Sequence, residues 1–241
     1  MSQDKIKQLN SLFKNFKIVE LSHSLEEGMP TYPTHSKFYH LLWDSPSDPA
    51  VMYQILLHEH NGTHIDAPLH FMKKAPKREY GIDKVPLNKL IGPCVTLNFS
   101  SSPPNHTVTK EEIQKWEEEN SPIEKEDIVI FNFGWWKKWK PLPEGEEVIK
   151  NWPGLGKEAA EYLLEKKVKA VGTDCMALDS YSHVIDGTAP VHKLLLPNGV
   201  LILENLDNLD NLPLRSFFIA LPLKIKEGSG SPIRAVALVP H

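Results

Sequence analysis

Cysteine is scarce in this chain: two residues among 241, Cys94 and Cys175. Both lie in apolar, strand-like sequence without metal-type spacing. That excludes a cysteine-ligated zinc module and a disulfide scaffold; buried free thiols are expected, with a single bridge between the two left open. A basic surplus is lacking as well. Lysine and arginine number 27 against 31 acidic residues, a net charge of −4, so no electrostatic footprint for nucleic acid or an anionic membrane is present. Long hydrophobic runs are missing: the stretch 200–203 is far short of the roughly 20 residues that span a bilayer. The N-terminal Met-Ser-Gln-Asp-Lys-Ile-Lys-Gln has no apolar core of a secretory signal, and the expected location is the cytoplasm. Internal repeats and low-complexity linkers are absent, and the length suits one large domain over residues 1–241. The Gly-x-Ser-x-Gly nucleophile motif is absent too, and neither cysteine sits in a nucleophile motif.

What the chain does contain is alternation between short apolar runs and a few amphipathic segments. Ile6, Leu9, Leu12 and Phe13 recur at helical spacing, so residues 1–16 are expected to include an N-terminal helix, free to dock on its own domain or on a partner subunit. Strands are expected over 17–21, 51–60, 94–99, 127–133, 168–172, 199–204, 216–221 and 233–239. Helices are expected over 109–120, where Thr109 and Glu112 form a capping box, and over 155–167, where Ala159, Ala160, Leu163 and Leu164 share a face. Interleaved strands and few helices give an α/β class with more sheet than helix.

The densest chemistry lies at residues 60–70, His-Asn-Gly-Thr-His-Ile-Asp-Ala-Pro-Leu-His. Imidazole nitrogen and carboxylate oxygen are natural ligands of borderline divalent ions such as zinc or manganese. His60 and His64 are four apart, as in the helical zinc-protease signature, but Asn61 stands where that signature needs Glu. Gly62 and Pro68 argue against a helix. The expected geometry is a strand ending near His60, a glycine turn, and an extended segment in which His64 and Asp66 share one face. His60, His64 and Asp66 then converge on one ion, with His70 nearby. Any one of these residues alone reads as an ordinary structural side chain; the cluster is what points to a metal.

This segment resembles, residue for residue, the His-x-Gly-Thr-His-x-Asp-x-Pro-x-His signature of the cyclase family of metal-dependent hydrolases, which includes bacterial kynurenine formamidases and isatin hydrolases. The family also carries a His and a Glu twelve residues apart, and His192 and Glu204 stand at that separation. Gly172 to Asp179 looks like the family's Gly-x-Asp-x-x-x-x-Asp loop, and Gly28 to Pro33 is similar to its substrate-side loop. The resemblance implies a swivelling β/β/α fold of mixed sheets with few helices in a single domain. It implies one or two divalent ions, zinc or manganese, with His60, His64 and Asp66 on one and Asp66, His192 and Glu204 on the other. His70 would be the acid–base residue. Assembly into homodimers or homotetramers is implied, with residues 1–16 a candidate for the subunit contacts.

The function implied is hydrolysis of a non-peptide carbon–nitrogen bond in a small amide by metal-activated hydroxide. The arylformamidase reaction on N-formylkynurenine leads; opening of a cyclic amide, imide or lactone is the alternative, and a metal-bound binding or regulatory module is an alternative of another class. One departure stands out. Where the family often has Thr-Gly-Trp, this chain has Phe133-Gly134-Trp135, a lost hydroxyl and an added ring. Tyr32 and Trp135 are candidate substrate-binding residues, although tryptophans in such a loop serve equally to pack it. His58 and His183 are read as structural or solvent-facing.

Overall fold

The structure, a computed structural model, describes residues 2–241. Along the chain, α1 (Ser2–Phe13) leads into β1 (Phe16–Glu20), and β2 (Tyr39–Leu42) pairs with β3 (Tyr53–Leu56) in an isolated hairpin. Next come β4 (His64–Asp66), the single turn α2 (Lys77–Tyr80), β5 (Ile91–Asn98), β6 (Thr107–Val108), α3 (Lys110–Glu119) and β7 (Ile128–Asn132). The remainder is β8 (Gly154–Leu155), α4 (Lys157–Glu165), β9 (Ala170–Thr173), α5 (Tyr181–Ile185), α6 (Pro190–Leu195), β10 (Leu201–Glu204), β11 (Arg215–Ile219), β12 (Gly230–Pro232) and β13 (Val236–Pro240).

Nine strands form one mixed sheet in the order β1-β13-β11-β5-β7-β9-β10-β4-β12. Its centre, β5-β7-β9-β10, is parallel, and helices α3, α4 and α6 lie on the connections between these strands, as parallel pairs require. Every residue of β7 is buried, and alternate residues feed opposite faces. Val129 and Phe131 pack into a core with Trp152, Ala159, Leu163 and Val191. Ile128 and Ile130 pack into a second core with Ile65, Leu203 and Phe218. The α/β class and the mixed sheet with few helices are as expected.

The expected elements are found, with shifted ends. The helix expected over 109–120 runs over Lys110–Glu119 behind the Thr109–Glu112 capping box. The one expected over 155–167 begins later, because Leu155 is taken into β8 and Gly156 becomes the N-cap. Helix α1 covers most of the N-terminal segment; Met1 lies outside the described residues, and Phe16 already belongs to β1. The strand expected over 51–60 needs correction. It stops at Leu56, because the Asn61 Oδ1 accepts the His58 N–H at 2.6 Å and Asn61 N–H reaches His58 O, folding residues 58–61 into a turn. Alternation along a strand therefore does not place His60. Cys94 and Cys175 are free and buried, with burial pushing the Cys94 thiol up to about 12, so neither offers a thiolate.

Candidate metal centre

The site forms where β4 meets β10. β4 is wholly buried, and period-two alternation puts His64 and Asp66 on one face. The antiparallel register sets Glu204, the last residue of β10, directly across from His64. Gly62, at φ +59°, makes the turn that brings His60 to the start of this strand; a Cβ there would also meet Leu25 Cδ2 at 2.6 Å. His192 reaches the same point from α6.

His60 Nδ1 lies 2.6 Å from Asp66 Oδ1. His64 Nε2 is 3.5 Å from Asp66 Oδ1 and 3.4 Å from Glu204 Oε2. His192 Nε2 is 3.3 Å from Asp66 Oδ2 and 3.1 Å from Glu204 Oε1. All five residues are buried. Burial alone would raise the Asp66 carboxyl, yet the imidazoles of His70, His60 and His192 hold it well below the usual range. Burial is likewise outweighed at Glu204, which His192 and His64 hold down to about 2. The same exchange overcomes burial to raise His64, beside Glu204 and Asp66, and His192, beside Asp179, Asp66 and Glu204. Two carboxylates kept ionised in a buried place demand positive charge.

This donor set fits a divalent ion. Ligand atoms about 2.1 Å from a shared ion stand about 3.0 Å apart in an octahedral shell and about 3.4 Å in a tetrahedral one. The His64 and His192 separations above fall close to that range. Asp66 Oδ2 is buried and accepts no hydrogen bond, an atom that a cation would satisfy. The far nitrogens of His64 and His192 are also engaged. His64 Nδ1 sits 2.9 Å from Gly62 O, and His192 Nδ1 sits 2.5 Å from Asp179 Oδ2, which leaves Nε2 of both rings facing the carboxylates.

His70 follows Pro68 in a single 3-10 turn, Pro68–Phe71, tied by His70 N–H to Ala67 O at 2.9 Å. Its ring is 4.0 Å from that of His60 and 6.2 Å from that of His192, centroid to centroid. Burial pushes it down to about 4 against the opposing charge of Asp66. It faces a cavity of about 430 Å³ whose lining includes His60, His64, His192 and Glu204 together with Tyr32, Phe71, Met176 and Val184.

The structure thus brings His60, His64, Asp66, His70, His192 and Glu204 together, with Tyr32 on the cavity wall. It does not bring Trp135 there. That indole is 5 % exposed, packs in the core among Val148 and Trp152, and donates from Nε1 to Val148 O at 3.1 Å. Phe133 is buried in the same core between Phe99 and Phe131, so its added ring fills the interior and not the cavity. His58 stacks on His35 at 4.0 Å, and His183 Nδ1 is 3.0 Å from Ser180 Oγ; neither lines the cavity.

Four further residues matter that sequence reading did not assign. Asp179 accepts from Val191 N, His192 N and the His192 ring. Its loop partner Asp174 instead caps the turn after β7, accepting from Phe133, Trp135 and Trp136 N–H groups. The Gly-x-Asp-x-x-x-x-Asp spacing was the available signal for both. Asn205 and His35 also line the cavity, with no signal beyond their nearness to candidate site residues.

Comparison with known proteins gives a consistent picture. The family model described as "Putative cyclase" matches residues 19–180. An isatin hydrolase from Roseibium aggregatum is 34% identical over 194 residues, covering 77% of this chain and 74% of that protein. A kynurenine formamidase from Erythrobacter litoralis is 28% identical over 225 residues, covering 91% and 93%. Among solved structures, an isatin hydrolase bound to the product analogue thioisatinate superposes with a TM-score of 0.86 at 29% identity, covering all of both chains.

Proposed function

The chain belongs to the cyclase family of metal-dependent hydrolases, and on that premise we propose that it opens a neutral cyclic amide fused to an aromatic ring. Water adds across the ring carbon–nitrogen bond: its oxygen joins the carbonyl carbon, the bond to nitrogen breaks, and a proton passes to the nitrogen, giving a carboxylic acid and an amine on one product. His60, His64, Asp66, His192 and Glu204 would hold a divalent ion, zinc or manganese, which when bound supplies Lewis acidity and lowers the pKa of a bound water. The chain's own contribution to proton movement is His70. Its ring lines the cavity close to His60 and Asp66, where it would take a proton from water and return it to the leaving nitrogen. Tyr32, Phe71, Met176 and Val184 offer the aromatic ring an apolar surface away from water.

The observation that carries the choice of substrate is the charge of this lining. Besides the imidazoles, it holds two side chains of the kinds that carry charge at neutral pH, Glu204 and Lys193. Glu204 is committed to His64 and His192, so the lining has no free carboxylate for a substrate ammonium; Lys193, which spends one donor on Thr188 O, is its one lysine. N-Formylkynurenine brings an ammonium and a carboxylate that both need partners; an isatin-type lactam brings neither. The higher identity to the isatin hydrolase supports the same choice. The test is turnover of isatin against N-formylkynurenine at equal concentration with zinc or manganese supplied. Faster opening of isatin supports the proposal, and release of formate with intact isatin overturns it in favour of the arylformamidase reaction.

We also propose self-association through the β2–β3 hairpin. Residues 39–43 and 51–57 include no charged side chain. Nine large apolar side chains there are 41–72% exposed, on both faces of a two-stranded sheet, which is a marginal structure without cover. At roughly half of 150–200 Å² each, they present on the order of 800 Å², about one side of a standard interface. A second copy of the chain offers the same uncharged surface in return.

A further inference from the structure

His60 differs from the other two ligand histidines in which nitrogen it turns toward Asp66. His64 and His192 present Nε2, while His60 presents Nδ1 and turns Nε2 away, toward Ser229 Oγ at 2.9 Å. Ser229 is in turn gripped by Glu59, whose Oε2 accepts from Ser229 N–H at 2.8 Å and from Ser229 Oγ–H at 2.6 Å. An oxygen–oxygen distance of 2.6 Å to a carboxylate requires a hydrogen between the two atoms. The serine hydroxyl has one hydrogen, and it is spent on Glu59. Toward His60, therefore, Ser229 Oγ can only accept, and the imidazole must carry its hydrogen on Nε2. With Nε2 so fixed, Nδ1 is the only nitrogen of the ring that can be freed: its 2.6 Å contact with Asp66 Oδ1 needs a hydrogen on Nδ1 when no ion is bound, and a divalent ion would displace that hydrogen and take the lone pair.

The backbone around Ser229 is shaped for this contact. A Cβ on Gly228 would meet Glu59 Oε1 at 2.7 Å. One on Gly230 would meet His60 Cε1 at 2.6 Å and Nδ1 at 3.1 Å. At the two glycines flanking the serine, the absence of a Cβ leaves room for the Glu59 carboxylate and the His60 ring to approach the chain. The segment is held against β4 by Ala67 N–H to Ser229 O at 2.9 Å and by the pairing of Gly230 with Asp66.

We propose that Ser229, gripped by Glu59 and flanked by Gly228 and Gly230, is a positioning residue that fixes the hydrogen of His60 on Nε2, so that this histidine offers Nδ1 to a divalent ion while His64 and His192 offer Nε2. The proposal rests on the reading of the site as a metal centre. It gives Glu59, Ser229 and the two glycines a role toward that ion without any of them touching it.

Long-range proton–nitrogen NMR on zinc-loaded protein, with histidine labelled in both ring nitrogens, reads the arrangement directly. One zinc-bound histidine carrying its hydrogen on Nε2, lost as a distinct signal in His60→Gln, is the expected result. Zinc affinity, measured by competition with a chromophoric chelator, should fall 10- to 100-fold in Ser229→Ala and in Glu59→Gln. Ser229→Thr, which keeps the hydroxyl, should recover affinity to within about threefold of wild type. Thermal unfolding of the chelator-treated proteins separates these effects from misfolding: midpoints near that of wild type are expected. Three zinc-bound histidines all carrying their hydrogen on Nδ1, or wild-type affinity in Ser229→Ala, would overturn the proposal and leave the metal centre standing. A wild-type protein that binds no zinc would remove the metal centre, and the proposal with it.

Discussion

Replacing Asp179 by Asn tests how far the site depends on a side chain that touches neither metal nor substrate. Asp179 is fully buried and uses both oxygens: Oδ1 accepts Val191 N–H at 2.8 Å, and Oδ2 accepts His192 N–H at 3.1 Å and the His192 ring at 2.5 Å. An amide has one acceptor oxygen, so two outcomes are open to Asn. If the oxygen stays on the His192 side, the amide NH₂ is driven against Val191 N–H, and a buried donor left unpaired costs about 1–3 kcal/mol. If the amide turns over, its NH₂ meets His192 Nδ1, and the imidazole must move its hydrogen to Nε2, the nitrogen facing Asp66 and Glu204. The first outcome lowers stability, and the second blocks a ligand. Losing the hydrogen-bond partner behind a histidine that holds a metal weakens binding 10- to 100-fold, or about 1.4–2.7 kcal/mol. Competition titration with a chelator should show that loss in Asp179→Asn. Activity at limiting metal should fall in step and recover when metal is raised. Wild-type affinity, with Asp179→Asn folded and stable, would refute the reasoning.

His70→Ala should lower kcat by about 10²- to 10⁴-fold while elemental analysis finds undiminished metal; parallel loss of metal would make His70 a ligand. Burial pushes His23 down to about 3, its ring stacked on Trp139 at 4.2 Å. The unfolded state therefore binds this proton more readily than the folded one, so the contribution of His23 is complete above about pH 6.5 and is lost as pH falls from there toward 3. His23→Phe, which keeps the stack, should flatten the fall in unfolding free energy between pH 6 and pH 5 by about 1 kcal/mol, read by urea denaturation; an unchanged slope would contradict the assignment. For the hairpin, Leu42 and Ile55 are 61% and 52% exposed. Leu42→Asp combined with Ile55→Asp should leave a folded monomer by light scattering after size exclusion, and a wild-type protein that is itself monomeric would remove the interface.

Much of the site was legible because it rests on local rules. His64 and Asp66 share a face by the period of a strand, and Gly62 marks a turn with positive φ whatever the tertiary context. Glu204 ends a run of apolar residues in which an acid needs a partner, and its register with His64 supplies one. The strand expected through His58 and His60 misled, because a single side-chain contact, Asn61 to the His58 N–H, outweighs the apolar pattern that precedes it. Trp135 could not be placed from the chain alone. A tryptophan after a strand reads the same in a cavity or a core, and its burial depends on Val148, thirteen residues away, accepting its indole N–H. Ser229 lies 169 residues from His60, and only the closing of β12 onto β4 brings them together.

In the proposed function these residues form a metal-dependent hydrolytic site for a neutral lactam. It is tested most directly by following isatin opening in protein stripped with a chelator, checked metal-free by elemental analysis, and then titrated with zinc or manganese. Negligible turnover is expected in the stripped protein, with recovery that rises with added ion to a plateau at one or two equivalents per chain. Full turnover by verified metal-free protein, or none at any loading, would contradict it.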